Sequence, residues 1–180
     1  MDAIQVIKER RSVRSFKDER VPREVMEEVI DAVRFAPSWT NTQISRWTLV
    51  ENEDVIEEIA AKSVKGFTYN IDSLKSAKGV AVLSFVKGKS GKLDKYGIEG
   101  ATPEKWEFFD TGIACQTFTL AAHAKGVGTC IFGVIDEEAI AKLIDLPEEE
   151  TVSSIIIYGY ADNAPKAPRR KDVSELLRWI

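Results

Sequence analysis

Four segments hold the side chains best suited to chemistry. RRSVRSF (Arg10–Phe16) combines three arginines with two hydroxyls, and APSWTNTQ (Ala36–Gln43) follows with amide and hydroxyl groups. GVGTCIFG (Gly126–Gly133) is glycine-rich, and APRRKDVSELL (Ala167–Leu177) brings a late basic group. An arginine cluster with hydroxyls suits a phosphate, because the guanidinium fork makes charge-assisted, bidentate contacts to its oxygens. Side-chain hydrolysis has no matching machinery. The single histidine, His123, lies among Ala121, Ala122 and Ala124 and reads as a structural or partly exposed residue. No H-E-x-x-H, nucleophile elbow or paired-cysteine zinc pattern occurs. Cys115 and Cys130 are too far apart for a metal knuckle or a close-spaced redox pair. Redox chemistry demands less, since a bound cofactor carries the hard step while the protein supplies position and electrostatics.

GVGTCIFG is not a dinucleotide fingerprint. Ile131 stands where a third glycine is needed, and the order is helix then strand rather than the reverse. Its glycines either cap a helix and enter a strand, or bring backbone close to a ligand. Positive charge gathers in two groups, Arg10, Arg11, Arg14 and Lys17 near one end and Lys166, Arg169, Arg170 and Lys171 near the other. Such groups are solvated surface or an anion site. The net charge of −4 disfavours a general nucleic-acid binder. MDAIQVIKERRS is not a signal peptide, and no apolar run approaches the roughly 20 residues that span a bilayer, so a cytoplasmic protein without membrane partners is expected.

With 180 residues, 44% hydrophobic and 30% charged, a single domain over 1–180 with a C-terminal tail is expected, needing no disulfide or metal staple. Residues 2–10 predict a helix capped by Asp2. A second starts at Pro22, with Val25, Met26, Val29, Ile30 and Val33 at helical spacing, and Pro37 ends it. Residues 46–51 predict a strand, and Asn52 caps a helix through Lys62. GVAVLSFV (Gly79–Val86) reads as a buried strand. Residues 87–105, with Gly88, Gly91, Gly97, Gly100 and Pro103, read as a long functional loop. A helix from Glu104 to Lys125 follows, its second half, TGIACQTFTLAAHA, apolar or small on nearly every side and so expected to be buried all round. Gly126 stops it. Residues 127–134 read as a strand, Asp136 caps a helix ending before Pro147, and SSIIIYGY (153–160) is a further central strand. The expected class is α+β, a sheet of four or five strands around the long helix.

In this order and at these separations the four segments resemble the FMN-dependent nitroreductase family, from Ile4 to Leu177. The resemblance implies a mostly antiparallel sheet with flanking helices and a homodimer that buries the long helix and holds FMN, noncovalently, at its interface. Arg10, Arg11 and Ser12 inherit the phosphate and ribityl contacts, and Arg14 the cation near flavin N1 and O2, where it would stabilise the reduced anion. Pro37, Ser38, Thr40, Asn41 and Gln43 match residues that reach the flavin from the partner subunit. Asn70 matches an asparagine at the pyrimidine edge. Cys130, Ile131, Phe132 and Gly133 stand where backbone amides face N5 and O4. Arg170 matches the late phosphate-binding arginine, with Arg169 and Lys171 beside it. Gln43-Ile44-Ser45 departs from the family's Gln-Pro-Trp. Trp39, Phe67, Tyr69, Trp106, Phe108 and Phe109 are candidates to roof the pocket. The implied activity is ping-pong hydride transfer from NAD(P)H, the co-substrate, through flavin N5 to nitroaromatics, quinones or similar small acceptors. The alternatives are a different reaction on the same fold (reductive dehalogenation, enone reduction, flavin breakdown) or a non-catalytic FMN-binding protein.

Overall fold

The computed structural model describes residues 2–65, 67–93, 98–99 and 102–180. Gly97 and Gly100, part of the expected long loop, lie outside the described residues. The caps fall where the sequence placed them. Asp2 accepts from the Gln5 amide at 2.9 Å and opens α1 (Ala3–Glu9). Pro22 precedes α2 (Arg23–Val33), Asn52 caps α3 (Glu53–Lys62), and Asp136 caps α6 (Glu137–Leu143) through the Ala139 amide. Each side-chain oxygen satisfies an amide that the first helical turn leaves without a partner.

The fold is α+β. Four strands form one sheet in the order β1 (Ser45–Val50), β2 (Gly79–Val86), β6 (Glu150–Gly159) and β5 (Gly128–Phe132), and every neighbouring pair is antiparallel. Strand periodicity sorts the side chains to two faces. Val80, Val82, Ile155 and Ile157 pack with Ile56, Ile59, Leu74 and Ile140 on one side. Ala81, Leu83, Ile156 and Tyr158 pack with Met26, Val29, Phe118 and Ala122 on the other. The sheet is therefore sandwiched, with α3, α4 (Thr68–Ser76) and α6 on one face and α2 and α5 (Pro103–Ala124) on the other.

Several elements differ from expectation. β6 begins at Glu150 rather than 153, because the Ser84 hydroxyl donates to the Glu150 carboxylate at 2.5 Å and lets an acidic residue pair opposite Val86. α4 was not anticipated. Its sequence TYNIDSLKS is mostly polar, yet Asn70, Ser73 and Leu74 are buried. The expected loop at 87–105 contains a two-stranded hairpin, β3 (Lys92–Leu93) and β4 (Ile98–Glu99), and the tail contains a short helix, α7 (Val173–Leu176). α5 is not buried all round within one chain. Thr111, Ala114, Cys115, Phe118 and Ala122 face inward, whereas Gly112 and Gln116 are exposed and Ile113, Thr117 and Leu120 are half-buried. Among the described residues, no helix is long and apolar enough to cross a membrane.

Candidate functional site

The Arg10–Phe16 segment is laid along the open edge of the sheet. Ser12 pairs in parallel with Thr129, and the Val13 amide donates to the Thr129 carbonyl at 2.9 Å. Phe16 pairs with Ala161, and the Lys17 amide donates to Tyr160 at 2.9 Å. Two glycines make this approach possible. A Cβ on Gly128 would stand 2.8 Å from the Val13 side chain, and one on Gly159 would stand 2.9 Å from Phe16. Gly126, at φ +78°, ends α5. Its amide donates to His123, and the Val127 amide donates back to Ala122, the paired bonds that close a helix through a left-handed residue. The glycines of GVGTCIFG thus cap a helix and seat the arginine segment.

These elements enclose a cleft of about 700 Å³ lined by Arg10, Arg11, Lys17, His123, Gly126–Thr129 and the start of the tail, including Asp162. Arg10 is half-buried, and its guanidinium has no side-chain partner among the described residues. Arg11 is partly committed, donating to the carbonyls of Lys8 at 2.6 Å and Arg10 at 2.9 Å at the end of α1. Arg14 is exposed, and its Nη1 reaches the Ser12 carbonyl at 3.4 Å. Burial pushes the Cys130 thiol up, opposed by Arg14, Ser12 and Arg10, which places these groups together beside β5.

β5 is an edge strand: β6 pairs along its length, and among the described residues the arginine segment meets its other side at Thr129. Cys130 and Phe132 point into the core. Thr129 turns its carbonyl outward to Val13, so by strand alternation Ile131 turns its backbone N–H and C=O to the same open edge. The Ile131 side chain is exposed, and a Cβ at Gly133 would meet nothing within 4 Å. Asn70 is buried on α4, which is tied to the arginine segment by Ser76 Oγ donating to the Arg14 carbonyl at 3.4 Å. Arg169 and Arg170 lie on the exposed tail and do not line the cleft.

Pro37, Ser38 and Gln43 line a different cleft, of about 320 Å³, with Arg34, Arg46 and Trp47. Within this chain the second motif therefore does not meet the first. Its backbone is unusual: Thr40, Asn41 and Gln43 have φ of 42°, 60° and 49°. Left-handed geometry costs a non-glycine residue on the order of 1–3 kcal/mol, and it persists only when surrounding bonds enforce it. Here Ser38 Oγ accepts from the Gln43 amide at 2.9 Å, and Arg46 donates to the Gln43 carbonyl at 2.8 Å. The buried Asp110 carboxylate accepts from the Trp39 amide at 3.0 Å and from Ser90 Oγ at 2.6 Å. Trp39 and Trp106 lie 4.4 Å apart between ring centroids, and Trp106 meets Phe109 at 5.2 Å. Ile44, at the departure from the family pattern, is fully buried.

Two residues escaped the sequence reading. Asp110 is the lone acid in the stretch Phe108–Gln116, a signal available but unused. His123, discounted among its alanines, lines the cationic cleft.

The model of the nitroreductase family matches residues 7–160. The chain is 27% identical over 176 residues to the FMN reductase [NAD(P)H] of Bacillus subtilis, covering 93% of this chain and 70% of that protein. It is 28% identical over 173 residues to the iodotyrosine deiodinase of Thermotoga neapolitana, covering 91% of each. An Exiguobacterium sibiricum protein solved in complex with FMN superposes with a TM-score of 0.84 at 17% identity, covering 100% of this chain and 98% of that one.

Proposed function

The chain belongs to the nitroreductase family, and from that premise we propose that it is an FMN-dependent oxidoreductase using NAD(P)H to reduce nitroaromatics, quinones or similar small acceptors. The observation that carries the reading is the unpartnered Arg10 guanidinium in a cationic cleft that runs up to an open strand edge. Such a site suits a ligand with one terminal phosphate and a flat, hydrogen-bonding ring. Bound FMN would supply the two-electron chemistry, taking hydride from NAD(P)H and passing it to the acceptor in ping-pong turns.

The chain's own residues bind and orient. Arg10, Arg11 and Ser12 hold the phosphate and ribityl end, joined by Arg170 or its neighbour Arg169 from the tail. Arg14 supplies positive charge near N1 and O2, and Asn70 hydrogen-bonds the pyrimidine edge. The backbone from Cys130 through Ile131 and Phe132 to Gly133 offers amides to the central ring. A second copy of the chain contributes Pro37, Ser38, Thr40, Asn41 and Gln43. Three features support that dimer: the two motifs line separate clefts, one side of α5 is uncovered, and the tail leaves Leu176 at 71% and Trp179 at 86% exposure. Cytoplasm is the proposed setting.

Denaturing the purified protein tests this directly. A yellow chromophore that runs as FMN is expected, together with NAD(P)H consumption when a quinone or nitroaromatic is added. Release of FAD, or no binding of added FMN, overturns the reading. A second reading, reductive dehalogenation on the same fold, is favoured by the likeness to the deiodinase. Halide release from a halogenated phenol, with nitroaromatics and quinones left unreduced, would select it.

A further inference from the structure

We propose that His123 is a proton-linked member of the anion site, taking up a proton when a phosphate group docks against Arg10 and Arg11. The inference rests on the FMN reading only for which molecule carries the phosphate. His123 lies near the end of α5, where that helix crosses α1, and it lines the same cleft as Arg10, Arg11 and Lys17. Its Nε2 is shielded from solvent and has no hydrogen-bond partner among the described residues. A shielded, unpartnered ring nitrogen is a cost that the free protein carries.

The charges around the ring explain how the linkage arises. Burial lowers its proton affinity, Arg10 lowers it further, Glu9 opposes, and Arg11 adds a smaller lowering. Lys17 and Asp162 complete the charged lining of the cleft. On the α2 side, Lys125 is paired with Glu28, and the one titratable side chain of β5, the Cys130 thiol, packs on the opposite face of the sheet. A phosphate dianion seated on Arg10 and Arg11 offsets the two cations that, after burial, lower the proton affinity of the imidazole. The histidine pKa is then higher in the complex than in the free protein. A group whose proton affinity rises on binding adds affinity that is complete below its free pKa and lost as pH rises through the bound one. Phosphate affinity should therefore strengthen as pH falls through the imidazole range.

The chain has one histidine, so its ring Cε1–H resonance is unambiguous in a proton NMR spectrum. Full-length protein freed of flavin is titrated over roughly pH 5 to 8, alone and with saturating FMN. The midpoint is expected to move up by about one unit, equivalent to a tenfold linkage between proton and phosphate. Flavin fluorescence quenching measures the FMN dissociation constant in parallel for wild type and His123→Gln. The phosphate of FMN titrates near pH 6 itself, so the difference between the two profiles is the readout. Wild type should gain about tenfold relative to the variant at the acid end. FMN binding with an unmoved midpoint overturns the proposal, as does a His123→Gln profile that parallels wild type. If FMN fails to bind but inorganic phosphate moves the midpoint, the anion site stands and the FMN reading falls. If neither moves it, His123 has no part in anion binding.

Discussion

Replacing Arg10 with alanine removes the cleft guanidinium that has no competing side-chain partner among the described residues. A charge-assisted hydrogen bond contributes ~1.5–3 kcal/mol, so FMN should bind roughly ten- to a hundredfold more weakly, as measured by fluorescence quenching. Arg14→Ala should leave affinity closer to wild type and lower the flavin midpoint potential instead, because the reduced ring loses its counter-charge. Redox-dye titration of both variants separates the roles, and an unchanged potential in Arg14→Ala contradicts the assignment. The arginines were legible in the sequence because charge is a property of residue type, and clustering within Arg10–Arg14 announced itself. His123 was not legible. Its neighbours along the chain are alanines, whereas the groups that define it, Glu9, Arg10 and Arg11, arrive from another element. Arg11 shows the converse, since a residue that reads as a phosphate ligand also spends donors on the carbonyl end of α1.

At the scale of elements, the arginine segment is held to the sheet by backbone hydrogen bonds and by close approach at two glycines. Gly128→Ala would drive a methyl to 2.8 Å from Val13 Cγ2. Overpacking of this kind costs typically about 1–3 kcal/mol, and the segment would lift from β5. Lower thermal stability and weaker FMN binding should appear together. Val13→Ala in the same chain should restore much of both, because the clash and its relief are local and therefore coupled. Failure of the double variant to recover would mean that Gly128 serves something other than the fit of Val13. The strands and capped helices could be read from alternation and from Asp2, Asn52 and Asp136. α4 could not, because its burial depends on α3 and the sheet rather than on its own apolar pattern. The left-handed residues Thr40, Asn41 and Gln43 were equally hidden, since no glycine marks them and Asp110, which holds the neighbouring Trp39 amide, lies far along the chain.

The proposed site would be complete only in a pair of chains. Arg10 lines one cleft and the segment carrying Asn41 borders another, so a symmetric dimer would build each site from Arg10 of one copy and Asn41 of the other. Arg10→Ala and Asn41→Ala, each nearly inactive alone, are unfolded together and refolded as a mixture. Both lesions then fall in one site of a hybrid dimer and leave the second intact. Random pairing makes about half the dimers hybrid, so about a quarter of wild-type activity should return. Hybrids recovered through two different tags but no more active than their parents would mean that each chain holds its own site. The open edge of β5 has a bearing on the fate of newly made chains. Past Thr129 its backbone groups at Ile131 face outward beside an exposed apolar side chain, which is the form in which one chain recruits a strand from another and starts to aggregate. A flavin seated there would cover that short exposed edge, so the cofactor would shield the chain from its own copies as well as equip it for chemistry.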